Sequence, residues 1–155
     1  MNTQRFDARL DFEKGADPEP RARFVRGGQR LGAEVRPYVP TWCFVQITID
    51  RPSKLCWGDN LVLIDPENQG VRARGTVLDP DAPQPGRSTK ARRTEFLQTL
   101  VGGEKEMLLT LTESKGIQGL TEDEIEGFAP FSRKDRHRWA QDLEAEGRIK
   151  ILTFE

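Results

Sequence analysis

The stretch QGVRARGTVLDPDAPQPG, residues 69–86, changes from one structural pattern to another within a few positions. Its first half alternates apolar and polar residues in the manner of a β-strand, and the alternation stops near Leu78. Three prolines and a glycine then follow, and proline can neither complete a strand ladder nor continue a helix. The sequence therefore predicts that one folding unit ends at Asp79 and that a linker separates it from a second unit.

The residues before this stretch carry the spacing of strands. The segment RFDARLDFE, residues 5–13, places Phe6, Ala8 and Leu10 on one face and charged side chains such as Asp7 on the solvent face. Five further candidate strands follow, and glycine, proline, aspartate and asparagine separate them. Six short strands of this kind predict a small closed antiparallel β-barrel over residues 1–79.

The residues after Asp79 change to a helical pattern. Residues 80–94 form a linker rich in proline and basic residues, and Ser88 or Thr89 can cap a helix through KARRTEFLQTLV. Thr121 and Glu124 have the spacing of a capping box, and Ser132 opens another helix. The chain then returns to alternation in RIKILTF. Helices followed by a strand predict a mostly α-helical winged-helix (helix-turn-helix) domain over residues 95–155, with an incomplete wing. The fold class is therefore a mixed, two-domain one.

The composition restricts how the chain can fold and bind. The chain has 155 residues, of which 35% are hydrophobic and 32% are charged, so two small domains fit better than one thick core. Twenty-four lysines and arginines against twenty-five acidic residues give a net charge of -1. Binding to a nucleic acid must therefore depend on local basic patches.

Few residues offer catalytic or metal chemistry. Cys43 and Cys56 have no Cys-x-x-Cys spacing, and with one histidine in the chain they are expected to be buried free thiols rather than zinc ligands. The acidic cluster of residues 122–126 is explained by helix capping, and His137 by a solvated helix position. The chain lacks the G-x-x-x-x-G-K-[ST] pattern that holds the phosphates of GTP. We expect no enzyme activity and no cofactor.

The chain also lacks the sequence of a membrane protein. It has neither the apolar stretch of a signal peptide nor a long apolar run of the kind that spans a bilayer. We expect a cytoplasmic protein with no membrane partner, and nothing in the sequence demands a dimer, so a monomer is expected.

Two basic clusters are candidates for contact with RNA phosphates. The first lies in RSTKARR beside the linker, and the second lies in SRKDRHR, in the first two turns of the last predicted helix. The candidate residues are Arg87, Lys90, Arg92, Arg93, Arg133, Lys134, Arg136 and Arg138. The alternatives are a basic segment that only solubilises the linker and a solvated helix face held by charge pairs.

Several of these stretches, taken in order, resemble one family. LCWGDNLVLID, VRARGTVLDPDAP, STKARRTEFLQTL and GLTEDEIEGFAPFSRKDRHRWAQDLEAEGRIKIL are similar to the last barrel domain and the first winged-helix domain of the bacterial selenocysteine-specific elongation factor. Members of that family usually carry several adjacent glycines before V-L-D-P, whereas Ala73 and Arg74 precede a lone Gly75 here.

The resemblance implies a non-catalytic fragment of a GTPase. Its barrel would help to hold selenocysteine tRNA, and its winged helix would link the GTPase body to further winged helices that read an mRNA hairpin at the ribosome. The proline-rich stretch would be the hinge between them. Two alternatives remain: a self-contained winged-helix regulator that binds DNA, and a protein-interaction module without nucleic-acid binding.

Overall fold

The chain divides into two compact units in the computed structural model, which describes residues 2–38, 42–83, 90–129 and 132–152, without the side chains of 90–92. The first unit runs over Met1–Leu97 and the second over Gln98–Glu155. The finer boundaries at residues 79 and 94 stay a prediction.

The first unit is built around a closed barrel of six antiparallel strands, so the predicted barrel is confirmed. The strands are β1 (Gln4–Phe12), β2 (Arg21–Arg26), β3 (Gln29–Pro37), β4 (Phe44–Ile49), β5 (Asn60–Ile64) and β6 (Val71–Asp79). Their order around the barrel is β1-β4-β3-β2-β5-β6, and pairing of β6 with β1 closes it. The alternation seen in the sequence is what makes this possible, because every second side chain points inward.

The interior of the barrel is filled by apolar side chains from all six strands. Phe6 and Phe24 meet edge to face with ring centroids 5.6 Å apart, and both are buried. Val45, Ile47 and Ile49 of β4 add a fully buried row. The expectation that both cysteines are buried is wrong: Cys43, one residue before β4, is exposed, and Cys56 is partly exposed.

The barrel closes tightly where β6 crosses β1 at Gly75. A β-carbon on Gly75 would lie 2.2 Å from the carbonyl oxygen of Arg9 and 2.7 Å from Cδ2 of Leu10. Glycine is needed here because two backbones approach closely. Gly75 lies inside β6 and not in a turn. A single glycine at this position is therefore enough to allow the close approach.

We expect Gly75→Ala to lower the free energy of unfolding of the barrel by about 2 to 3 kcal/mol, because the added methyl group forces two paired strands apart. Urea denaturation followed by circular dichroism would measure the loss. Gly127→Ala is the matched control, because an added β-carbon there meets no atom within 4 Å. In a helix, alanine is favoured over glycine, so the control should not be destabilised. A Gly75→Ala variant as stable as the control would contradict the argument.

A bulge in β6 shifts the register between β6 and β1 at Asp7. The register places Ala8 opposite Val77 and Asp7 opposite Asp79, so Leu78 is an extra residue in β6. The prediction that Asp7 lies in solvent is wrong: its side chain points away from the barrel core, yet it is fully buried. Residues outside the strand ladder cover it, and a period of two cannot reveal such a cover.

The described residues after the barrel contain four α-helices and one short 3-10 turn. The helices are α1 (Lys90–Leu100), α2 (Glu104–Lys115), α3 (Glu122–Phe128) and α4 (Arg133–Ala145). Two of the three predicted caps are confirmed, and the third, at Ser88 or Thr89, lies outside the described residues. The Thr121 hydroxyl accepts from the Glu124 backbone N–H, and the Glu124 carboxylate accepts from the Thr121 N–H, which completes a capping box. The Ser132 hydroxyl accepts from the Asp135 N–H at 3.1 Å.

A small apolar cluster holds the second unit together. Leu108 and Leu109 of α2 pack with Leu143 of α4, and Trp139 covers them partly. No strand forms over residues 149–152, so the predicted wing strand is not seen there; the Ile151 N–H donates to the Glu144 carboxylate at 2.6 Å instead. A lone strand has no ladder partner. The winged helix stays a prediction.

Leu143 is the best position to test this cluster because it is completely buried. We expect Leu143→Ala to lower the free energy of unfolding of the helical unit by about 3 kcal/mol, since it removes buried methyl groups and leaves a cavity. Ile117→Ala is the control: Ile117 is fully exposed, so its truncation should change stability by less than about 0.5 kcal/mol. Thermal denaturation would compare the two variants, and equal melting temperatures would refute this packing.

Candidate nucleic-acid interface

The basic surface of the second unit lies on the exposed side of α4. A shallow open depression on that side is lined by four residues and a glutamine. They are Arg133, Lys134, His137, Arg138 and Gln141. Positions three and four residues apart share one side of a helix, while Leu143 anchors the opposite side in the apolar cluster. Packing of α4 therefore fixes which of its cations reach solvent.

His137, which lines the depression, contacts an acidic side chain of another helix. Glu122 of α3 accepts a hydrogen bond from Nε2 of His137 in a close contact between two exposed side chains. That hydrogen bond is the main reason why the pKa of Glu122 is lowered, and the charges of Arg133 and Arg136 act in the same direction. Glu122 is therefore ionised at neutral pH and offsets part of the positive charge of the surface.

The side chain of Arg138 contacts two neighbours on its own helix. Its guanidinium lies 3.2 Å from the Asp135 carboxylate, one turn away, and its Cζ is 5.8 Å from the ring centroid of Trp139. An exposed ion pair of this kind contributes little to stability, so a phosphate can compete for Arg138.

The eight predicted contact residues lie in different surroundings. Arg133, Lys134 and Arg138 are exposed together on α4. Arg136 is on the same helix but is only 8% exposed. Arg87 and the side chains of Lys90 and Arg92 lie outside the described residues.

Arg93 lies in a buried polar network of the barrel unit. Its guanidinium Nε donates to the Asp7 carboxylate at 2.8 Å, and its Nη2 contacts both Asp7 and Asp79. The Tyr38 hydroxyl donates to the other Asp7 oxygen at 2.6 Å and accepts from the Gln46 amide at 3.2 Å. Arg93 is therefore largely buried and paired with carboxylates, unlike the three exposed cations of α4.

Burial controls the protonation chemistry of this network. Desolvation raises the pKa of Asp7, although the charge of Arg93 and the hydrogen bond from Tyr38 act against it. Desolvation and the neighbouring Asp7 also raise the pKa of Tyr38, which keeps its proton for the hydrogen bond. Sequence reasoning missed this network because its members come from five separate segments.

Other kinds of site find no support in the described ranges. Within them no three histidine, cysteine or acidic side chains come together as a metal site would require. Of the helices described, none is long and apolar enough to cross a membrane.

Comparison with known proteins gives a likeness of fold. No protein-family model and no curated protein matches the chain. Among solved structures, the chain is similar to the crystal structure of a bacterial selenocysteine-specific elongation factor, with a TM-score of 0.65 and 14% sequence identity. The match covers 84% of this chain and 21% of the other, so the chain spans about a fifth of that protein's length. Since the barrel unit ends at Leu97, a match of this extent includes part of the helical unit.

Proposed function

We propose that this chain is a non-catalytic RNA-binding part of a selenocysteine-specific translation elongation factor. The observation that carries the proposal is the likeness of fold to such a factor, which extends past the barrel into the helices. In the proposal the helical unit is a winged helix that connects a GTPase body to the parts that read an mRNA hairpin, and the barrel contributes to holding selenocysteine tRNA.

The contact with RNA is assigned to the exposed cations of α4. Arg133, Lys134 and Arg138 are the predicted residues that lie in solvent together, and phosphate contacts need exposed, flexible cations of this kind. Two features limit the affinity. The surface includes the carboxylate of Glu122, and the chain as a whole carries a net charge of -1. We therefore expect weak, salt-sensitive binding that depends little on RNA sequence.

Neutralising the three cations together tests this assignment. We expect the Arg133→Gln, Lys134→Gln, Arg138→Gln triple variant to bind RNA more weakly at low salt. The plot of log affinity against log salt should become less steep by about 2 to 3 units. Each lost phosphate contact removes about 0.7 to 0.9 from the magnitude of the slope. Fluorescence anisotropy with selenocysteine tRNA, an mRNA hairpin, an unrelated RNA and duplex DNA would measure both quantities.

A second triple variant supplies the control. Lys105→Gln, Lys115→Gln and Arg148→Gln remove the same charge from the same unit at cations paired with Glu146, Glu124 and Glu106. The control should keep most of the affinity. An equal loss in both triple variants would mean that net charge, and not the α4 surface, drives binding. Sequence-selective binding to duplex DNA would favour the regulator, and no binding at low salt would favour the protein-interaction module.

Glu122 offers a test in the opposite direction. We expect Glu122→Gln to strengthen RNA binding by roughly two- to fivefold at low salt, because it removes a like-charged neighbour of the phosphates and releases His137. The same anisotropy assay would measure it, with Glu113→Gln, at an exposed position of α2, as the charge-matched control. Unchanged affinity in Glu122→Gln would place the RNA away from this surface.

A further inference from the structure

Two carboxylates face each other where the barrel closes. The bulge in β6 puts Asp79 directly opposite Asp7, and Asp7 is fully buried. Like charges opposite one another in a sheet destabilise the pair, and a buried charge without a partner is costly. The barrel strands therefore present a site that needs a cation.

Arg93 of α1 supplies that cation from outside the strands. Its guanidinium bridges the two carboxylates, with Nε and Nη2 on Asp7 and Nη2 also on Asp79. The side chain is itself largely buried, being 15% exposed. Among the described side chains, Arg93 is the cation that forms an ion pair with either carboxylate. Its planar guanidinium is suited to bridging in a way that a lysine ammonium is not.

The chain between β6 and α1 is also attached to the barrel, as far as it is described. The Ala82 N–H donates to the Arg5 carbonyl at 3.1 Å, and the Gln46 amide donates to the Pro83 carbonyl at 3.1 Å. Ala82 is only 6% exposed. Residues 80–83 therefore lie along β1 and β4 rather than leaving the barrel at Asp79.

We propose that Arg93 is a latch that makes the first turns of α1 part of the barrel. The barrel as a stable unit then ends after Arg93 and not at Asp79, with residues 80–83 and Arg93 both attached to it. Opening the latch would leave Asp7 charged, buried and unpaired, so at neutral pH the latch stays closed. This role is independent of any contact with RNA.

Hydrogen exchange in the full-length chain tests the latch. In Arg93→Ala we expect the amides of residues 94–97 to exchange at least tenfold faster. The amides of β1 should also exchange faster, by an amount that corresponds to a fall of about 100-fold in the ratio of folded to unfolded barrel. Arg74→Ala is the matched control, because Arg74 of β6 is 63% exposed in an ion pair with Glu13 at 3.2 Å. Exposed pairs contribute little, so the control should exchange like the parent chain. If residues 94–97 exchange equally in Arg93→Ala and Arg74→Ala, the latch is refuted.

The pH dependence separates the latch from a general packing defect. Arg93 lowers the pKa of Asp7, so removing it raises that pKa further and favours protonation. A protonated Asp7 no longer needs a cation, and Asp79, Tyr38 and Gln46 are the other groups around it. The difference in exchange between Arg93→Ala and the parent chain should therefore shrink as the pH falls from 7 to 5. A difference independent of pH would overturn the proposal.

A milder variant serves if Arg93→Ala does not fold. Arg93→Lys keeps the positive charge but cannot bridge both carboxylates with a planar group. We expect its α1 amides to exchange between threefold and tenfold faster than those of the parent chain. Exchange identical to that of the parent chain would show that charge alone, without the bridge, holds the helix, and would refute the latch in the form proposed.

Discussion

The closure of the barrel between β1 and β6 is the constraint on which the first unit depends. At Gly75 the two backbones come close enough to exclude a β-carbon, and further along the same pair the bulge at Leu78 shifts the register by one residue. A bulge re-aims the side chains beyond it. Here it sets Asp79 beside Asp7, and the cation that this pair requires is provided by α1.

Charged residues serve two different purposes in the chain. Arg93 and Arg72 are largely buried and satisfied by carboxylates, with Arg72 bonded to Asp65 at 2.9 Å. Such pairs hold segments in place because breaking them would leave a buried charge without a partner. Arg133, Lys134 and Arg138 on α4 are exposed, and the exposed ion pair of Arg138 with Asp135 contributes little to stability. Burial, and not residue type, separates the two purposes.

The candidate interface was only partly predictable. Ser132 and the run RKDRHR are enough to predict a helix with a basic first half, because the cap and the charges are local features. The sequence does not tell which of those basic side chains face solvent, and Arg136 proves to be buried among the others. Nor does it reveal that Glu122, fifteen residues earlier, lies against His137, since that contact depends on how α3 and α4 pack.

Local patterns by themselves determined the six barrel strands, the helices and the caps at Thr121 and Ser132. A period of two and the residues Thr121, Glu124 and Ser132 act within a few positions, so they can be recognised without knowing the fold. The tertiary structure alone decided the fate of Asp7, the partner of Arg93 and the need for glycine at position 75. Each of these depends on atoms that are distant in the chain: Arg93 is eighty-six residues from Asp7, and Gly75 is crowded by the backbone of Arg9. Alternation fixes the direction of a side chain, but only the packing of other segments fixes whether water can reach it.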